Sequence, residues 1–348
     1  MKMNKSASLV CVLALSGFLL GAAVPTLDPL PAPVSNNAIA TMKVSRDLYI
    51  FSLMGIGEKR SWDAVSNAGY IFDNDTGSWT PIHGVPGTGR IAAMAAGENG
   101  RVYLAGGAVV DSQGGVTPVP DLNIYAQDAE EWLRGADMPV GVENAVVGTY
   151  RDRYIYLIGG RSRSGPVNNV QMYDLTNNTW QNATALPGAP AFGQAGAILD
   201  DAIVVVDGAT SATGDISDAC WIGKIDHKNP LKISWSKLPP HPGHPGFNIA
   251  AGAWERDNKV YFLGGTSVVT NYKGEGADGK IPQPSPMSFA LNLKTKAWEV
   301  INPNVPHVTM DNHVLIPTEQ GLVLIGGTEV DGKVTRSMRV VPREKAAD

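Results

Sequence analysis

Five polar residues each stand just ahead of a run of small apolar residues. The stretches are PGTGRIAAMA, PVGVENAVVG, APAFGQAGAI, PGFNIAAGAW and VTMDNHVLIP, and the residues are Arg90, Glu143, Gln194, Asn248 and His313. Arginine presents a rigid fork of donors that matches a carboxylate, and amides can hydrogen-bond hydroxyl groups. If these side chains meet in one place, they suit a small polyhydroxylated anion.

A second set of polar residues follows glycines. GEKRSW contains Arg60, GGRSRSG contains Arg161, GGTEVDGK contains Glu329, and the long stretch GGTSVVTNYKGEGADGKIPQPSP contains Tyr272. Loops longer than about 12–15 residues are often functional, and we expect the long one to act as a lid. The alternative for any single one of these side chains is that it caps backbone groups and faces water.

The glycines belong to a phrase that recurs along the chain. Four β-forming residues lead into two glycines in VYLAGGAV, YIYLIGGR, VYFLGGTS and LVLIGGTE, and fainter copies are LYIFSLMGIG and IVVVDGAT. Each phrase except the last is followed by a tryptophan strand, and four tryptophans stand seven residues before a proline: Trp79, Trp132, Trp180 and Trp235. This regularity predicts six repeated units of about four short strands.

The composition places the chain in the all-β class. It has 348 residues with 39 glycines, 24 prolines and 43% hydrophobic residues, and no apolar period of 3.6 extends over ten residues after position 30. Apolar residues on both faces require each small sheet to be sandwiched between neighbours, and a closed ring leaves no unit exposed. We therefore expect one domain over residues 24–348.

The double glycines, the tyrosines Tyr125 and Tyr173 and the spaced tryptophans resemble those of the Kelch family of β-propellers. The resemblance implies a six-bladed propeller whose ligand face is built from the loops before the innermost strands and after the double glycines. The last unit lacks a tryptophan strand, and TLDPLPAPV near Thr26 has no strand partner of its own. We expect this N-terminal segment to supply the missing outer strand and close the ring.

The first 23 residues have the features of a secretory signal peptide. A basic start with Lys2 and Lys5 precedes an apolar run that ends in small residues, and cleavage is expected after Ala23. The alternative is a retained anchor. Cleavage predicts a periplasmic or secreted protein without stable membrane association. It would also remove Lys2 and Lys5, which changes the formal net charge from −5 to −7. The acidic balance gives no support for a nucleic-acid partner, and we expect Cys220, the one cysteine left, to be buried.

An exported six-bladed chain of this size resembles the bacterial periplasmic sialic-acid mutarotases within the Kelch family. The resemblance implies a carbohydrate ligand, cofactor-free interconversion of anomers, an acid and a base, and a cation for the sugar carboxylate. The family's glutamate and arginine in the fourth blade are absent, since Ala209 and Asp215 occupy their positions. As substitutes we expect Glu143 or Glu329 in catalysis, and ligand binding by these residues: Arg60, Arg90, Arg161, Gln194, Asn248, Tyr272 and His313.

HPGHPG and Cys220 could each belong to another kind of functional site. HPGHPG places His241 and His244 at a spacing that metal ligands use, but its prolines and glycines indicate a linker, so no metal is expected. A copper oxidase of the galactose oxidase type requires a cysteine cross-linked to tyrosine. Cys220 lies toward an outer strand, so we do not expect this activity.

The main alternative to an enzyme is a non-catalytic module that binds a glycan or another exported protein. An enzyme should bury its acid–base pair in a closed pocket, whereas a docking face should be broad and open.

Overall fold

Six small antiparallel sheets follow one another along the chain and surround one axis, which confirms the predicted all-β, six-bladed propeller. The computed structural model describes residues 27–44, 47–212 and 214–343. Within each sheet the strands pair in chain order from the axis outward. One short 3-10 helix, Trp62–Ala64, follows the second strand. No helix in the described ranges is long and apolar enough to cross a membrane.

The first three blades have four strands each, and two of them carry an additional hairpin. Blade 1 contains β1 (Ala38–Val44), β2 (Asp47–Leu53), β3 (Gly69–Asp73) and β4 (Ser78–Ile82). Blade 2 contains β5 (Met94–Glu98), β6 (Arg101–Ala105), the hairpin β7 (Ala108–Val110) and β8 (Val116–Pro118), then β9 (Leu122–Ala126) and β10 (Glu131–Arg134). Blade 3 contains β11 (Val146–Tyr150), β12 (Tyr154–Ile158), the hairpin β13 (Arg161–Ser162) and β14 (Gly165–Pro166), then β15 (Val170–Asp174) and β16 (Thr179–Ala183).

The other three blades complete the circle. Blade 4 contains β17 (Ala195–Leu199), β18 (Ala202–Val206), β19 (Cys220–Ile225) and β20 (Ile233–Leu238). Blade 5 contains β21 (Ala250–Trp254), β22 (Lys259–Leu263), β23 (Ser288–Asn292) and β24 (Ala297–Asn302). Blade 6 has three described strands, β25 (Ile316–Thr318), β26 (Gly321–Ile325) and β27 (Met338–Val341).

The core lies between the faces of neighbouring blades. One cluster joins Phe51 and Leu53 of blade 1 to Leu104 and Tyr125 of blade 2, and similar clusters fill the other interfaces. The innermost strands contact one another around the axis. Because these strands crowd together, the turns beside them need glycine: Gly106 has φ +59°, and a Cβ there would lie 2.2 Å from the carbonyl oxygen of Val142.

The repeated tryptophans connect each blade to the preceding one. The ring of Trp132 packs against Tyr125 with centroids 5.2 Å apart, and its Nε1 donates to the carbonyl oxygen of His83 in blade 1 at 2.8 Å. The tryptophans of blades 3, 4 and 5 make the same kind of bond to the blade before them. The regular spacing of the tryptophans in the sequence therefore reflects a contact that blades 2 to 5 each make with the preceding blade.

The N-terminal segment occupies the position that follows an outer strand in blade 6. Trp79 Nε1 of blade 1 donates to the carbonyl oxygen of Asp28 at 3.0 Å, as its counterparts do to the other blades. The amide of Leu30 donates to the carbonyl oxygen of Arg336 at 2.8 Å, equivalent to the bond from Leu186 to Asn168 in blade 3. The segment thus contributes to closing the ring, but residues 27–34 of TLDPLPAPV form no strand, so the prediction that they supply the outer strand is wrong: their contacts match those of the residues that follow an outer strand in the other blades.

Candidate functional site

Six residues that immediately precede the innermost strands form a ring around the axis. We refer to Asn36, Ala92, Asn144, Gly193, Asn248 and Asp311 as the axial ring; all six have positive φ between 51° and 64°. Five backbone N–H groups of the ring donate to the carbonyl oxygen of a neighbouring ring residue at 2.9–3.1 Å. Asparagine, aspartate and glycine tolerate this left-handed conformation best, which explains the composition of the ring.

Two cavities lie on either side of the axial ring. The larger, the axial channel, has a volume of about 690 Å³ and is lined mainly by the innermost strands. The smaller, the loop-face cavity, has a volume of about 260 Å³ and lies among the loops. The polar wall of the loop-face cavity includes Asn36, Glu143, Asn144, Arg161 and Asn248, and its apolar wall includes Phe192 and Phe247.

Glu143 and Arg161 form a buried ion pair in the wall of the loop-face cavity. Their backbones pair reciprocally at 2.9 and 3.0 Å, and Arg161 Nε donates to Glu143 Oε1 at 2.6 Å, with Nη2 on the same oxygen. The Glu143 side chain is 3% exposed and that of Arg161 is 27% exposed. Burial raises the pKa of Glu143, although the charge and hydrogen bond of Arg161 oppose the shift. The Arg161 guanidinium also lies over the ring of Phe192 at 5.1 Å.

The other five blades show what the fold itself requires at these two positions. In these blades the position of Glu143 is occupied by Ser35, Ile91, Phe192, Phe247 and Met310. The position of Arg161 is occupied, in the same order, by Ile56, Ala108, Ala209, Thr266 and Thr328. None of the ten is charged. The backbone pairing therefore forms without an ion pair, and the charges of Glu143 and Arg161 need another explanation.

The long loop of blade 5 extends across the mouth of the cavity. We refer to residues 267–287 as the strap; Thr270, Asn271 and Tyr272 of the strap line the loop-face cavity. Tyr272 packs near Gly114 of the blade 2 hairpin and against an apolar cluster that includes Ile91. The strap therefore reaches from blade 5 to the opposite side of the mouth, which is the placement expected of a lid.

Arg60 holds the strap and does not line the cavity. Its Nη1 donates to the carbonyl oxygen of Lys273 at 2.6 Å, and its Nη2 donates to Thr328 Oγ1 at 2.8 Å. The Thr328 hydroxyl donates in turn to Asp311 Oδ2 at 2.9 Å. Burial raises the pKa of Asp311, which is 1% exposed. Arg60, predicted to bind ligand, is thus placed to link the strap to blade 6.

Gln194 and His313 lie on the channel side of the axial ring. Both line the axial channel, and neither Gln194 Oε1 nor His313 Nε2 has a hydrogen-bond partner among the described residues. His313 keeps some accessible surface, but that surface faces the enclosed channel, and burial lowers its pKa to about 4. The structure therefore does not bring these two predicted ligand-binding residues together with Glu143.

Arg90 and Glu329 also lie apart from the cavity. Arg90 is 2% exposed, and it donates from Nη1 to the carbonyl oxygen of Gly106 and from Nη2 to Asn123 Oδ1, both at 2.7 Å. Burial lowers its pKa to about 10. Glu329 forms an ion pair with Arg339 in blade 6. Of the two predicted catalytic carboxylates, only Glu143 reaches the loop-face cavity, and Arg161, Asn248 and Tyr272 accompany it.

Sequence reasoning missed several residues of the cavity wall. Asn36 stands before the small-residue run of SNNAIAT, so the pattern that singled out Asn248 could have identified it. Phe192 and Phe247 each precede an axial-ring residue, but a phenylalanine in a turn carries no signal of a ligand site. Thr270 and Asn271 reach the cavity only because the strap crosses the mouth.

The fourth blade has no acid–base pair at the position that the family resemblance implies. Ala209 is fully buried opposite Phe192, and the backbone oxygen of Asp215 accepts from the amide of Thr210. His241 of HPGHPG joins blades structurally: its Nε2 lies 2.7 Å from Asp207 Oδ2 and its Nδ1 lies 2.7 Å from the Pro242 oxygen. Across the described residues, no cluster of three or more histidine, cysteine or acidic side chains could hold a metal. Burial raises the pKa of Cys220 to about 12.

These features define the class of the protein. A Kelch motif matches residues 147–187, which span most of blade 3, and the same strand register recurs around the ring. The protein is a six-bladed β-propeller whose third blade carries a Kelch motif. The solved structure of YjhT superposes with a TM-score of 0.74 at 19% identity and covers 92% of this chain and 99% of that one, which supports the fold alone.

Within this class the chain resembles N-acetylneuraminate epimerases over most of its length. It is 24% identical to N-acetylneuraminate epimerase 1 of Escherichia coli O6:H1, covering 78% of this chain and 82% of that protein. It is 23% identical to N-acetylneuraminate epimerase of Salmonella arizonae, covering 90% and 89%. Kelch-like protein 15 of Mus musculus is 22% identical, but the chain spans only about two fifths of its length, 39%.

Proposed function

We propose that this propeller binds a small acidic sugar in the loop-face cavity and interconverts its anomers without a cofactor, as a sialic-acid mutarotase-like isomerase. The observation that carries the proposal is the Glu143–Arg161 pair, which lines a cavity at positions where the other five blades have no charge. A cavity of about 260 Å³ suits a ligand of monosaccharide size. The two epimerase relatives support the same ligand class.

The pair matches the chemistry of a sugar acid whose anomeric carbon bears both a carboxylate and a hydroxyl group. Arg161 can hold the carboxylate, and Glu143 can then reach the hydroxyl and the ring oxygen on the same carbon. Ring opening requires the ring oxygen to gain a proton and the anomeric hydroxyl to lose one as the ring C–O bond breaks. Glu143 can relay that proton, and the reverse transfers close the ring on the opposite face with no net change in protons.

Exchange NMR of N-acetylneuraminate anomers with the purified protein tests this function. We expect faster exchange than in a protein-free blank, and a loss of about 100-fold or more in Glu143→Gln, the range that a general acid–base group contributes. Arg161→Ala should weaken substrate binding. Glu131→Gln, an exposed glutamate of β10, is the matched control and should retain full activity. No acceleration by the wild-type protein would overturn the proposal.

The second candidate function is a non-catalytic binding propeller. The observation that favours it is the absence of a glutamate–arginine pair in blade 4, where Ala209 is buried. Binding of a glycan or an exported protein without faster anomer exchange would support this alternative. Export itself is part of both proposals and rests on the predicted signal segment, which lies outside the described residues.

A further inference from the structure

The loop-face cavity has no net positive charge with which to attract an anion. Among the described residues that line it, Glu143 and Arg161 are the charged ones, and they neutralise each other. Asp311 of the axial ring and Arg60, which holds the strap, are also of opposite sign, and neither lines the cavity. When a ligand carboxylate binds here, it and the Glu143 carboxylate must therefore share the one guanidinium of Arg161.

The geometry of the pair leaves room for this sharing. Arg161 Nε donates to Oε1 of Glu143 and Nη2 lies against the same oxygen, and within residues 27–44, 47–212 and 214–343 no partner is found for Glu143 Oε2 or Arg161 Nη1. A ligand carboxylate at the free edge of Arg161 would thus lie beside a carboxylate that is 3% exposed. Two carboxylates that share one guanidinium in a desolvated site repel each other, which raises the pKa of one of them and favours its protonation.

Other groups around Glu143 do not supply that proton or a compensating charge. The blade 2 hairpin contributes Gly114 and Val116, and blades 4 and 5 contribute Phe192 and Phe247. The strap contributes the phenol of Tyr272. Arg163, on the same hairpin as Arg161, is directed to the carbonyl oxygen of Pro118. The proton must come from solvent and reside on Glu143 or the ligand.

We propose that the loop-face cavity binds its anionic ligand together with one proton, which Glu143 takes from solvent. This inference rests on the proposed sugar-acid ligand. The binding step is balanced: the ionised protein, the ligand carboxylate and one proton give a complex in which Glu143 is a carboxylic acid and Arg161 contacts the ligand carboxylate. Glu143 then begins turnover as the acid that protonates the ring oxygen.

Ligand affinity should fall as the pH rises above the pKa of Glu143 in the free protein. Below the pKa of Glu143 in the free protein, the residue is already protonated and binding takes up nothing. Above that pKa and below the higher one in the complex, the binding of each ligand takes up one proton from solvent, so the dissociation constant rises about tenfold per pH unit. Burial raises the free pKa above its ordinary value near 4.3, so the window begins above that value.

Isothermal titration calorimetry with N-acetylneuraminate tests the inference between about pH 5 and pH 8, in buffers of low and high ionisation enthalpy. We expect the heat to depend on the buffer in proportion to about one proton taken up per ligand, and affinity to fall as pH rises. In Glu143→Gln the buffer dependence and the pH slope should vanish while binding persists. A neutral N-acetylated sugar without the carboxylate should bind without proton uptake in the wild-type protein.

A second measurement keeps the test independent of affinity. Difference infrared spectroscopy should show a carboxylic acid band when the anionic ligand binds, and this band should be absent in Glu143→Gln. Binding with no buffer dependence and no such band, or no binding of the ligand at all, would overturn the inference. Proton-coupled binding without faster anomer exchange would instead overturn only the proposed isomerase function.

Discussion

At the scale of single residues, two arginines near the loop face have different partners. The Arg90 guanidinium is 2% exposed and bonds to Gly106 and Asn123 within blade 2. The Arg161 guanidinium keeps part of its edge toward a cavity, and its one protein partner is Glu143. A buried arginine whose N–H groups bond to the protein stabilises the fold, whereas an arginine with N–H groups left toward a cavity can still bind a ligand.

We expect Arg90→Ala to lower the free energy of unfolding by about 2–4 kcal/mol, because it leaves a buried carbonyl and the amide oxygen of Asn123 without their charged donor. Urea denaturation measures the change. Arg163→Ala removes one longer bond, at 3.3 Å to Pro118, and should cost less than about 1 kcal/mol. If the Arg90→Ala protein had wild-type stability but no longer bound the sugar, Arg90 would have to be a ligand-binding residue.

At the scale of elements, the strap is a long segment without strand pairing that Arg60 and two packed side chains, Val269 and Tyr272, hold to other blades. Arg60 bonds both to the Lys273 carbonyl and to Thr328 of blade 6. A loop held without strand pairing opens locally at a smaller free-energy cost than the blades do. The strap can therefore control access to the loop-face cavity while the axial ring behind it stays fixed.

Arg60→Ala should increase the rate of trypsin cleavage after Lys273 by about 10- to 150-fold, because losing a hydrogen bond to a charged group lowers the free energy of opening by about 1.5–3 kcal/mol. Mass spectrometry of early fragments identifies the cleaved bond. Lys59→Ala, at the exposed neighbouring residue, serves as the control and should leave cleavage at Lys273 unchanged. Equal rates in wild type and Arg60→Ala would show that Arg60 does not hold the strap.

At the scale of the whole molecule, the N-terminal segment joins the last blade to the first. Leu30 is fully buried in the cluster shared by blades 1 and 6, and Leu186 is buried at the equivalent position between blades 3 and 4. Their amides make equivalent hydrogen bonds, to Arg336 and Asn168. The closing segment thus packs like an internal part of a blade.

Leu30→Ala and Leu186→Ala should therefore lower the free energy of unfolding by similar amounts, about 2–5 kcal/mol each, the usual range for a buried leucine. Chemical denaturation followed by tryptophan fluorescence compares the two variants directly. A cost below about 1 kcal/mol for Leu30→Ala, with a normal cost for Leu186→Ala, would mean that the ring does not depend on the N-terminal segment.

The amino-acid sequence by itself determined the six blades, because the glycine turns recur in every blade, the tryptophan contacts recur at five of the six interfaces, and together they leave a repeated signal. It also indicated Glu143 and Arg161 by their place in the loops. It could not separate Arg161 from Arg90, Glu143 from Glu329, or Asn248 from Gln194, since all six stand in the two kinds of loop that the pattern assigns to the ligand face. Only the tertiary structure decided these cases, because a side chain's partners come from other blades and from the strap, at separations that no local pattern records.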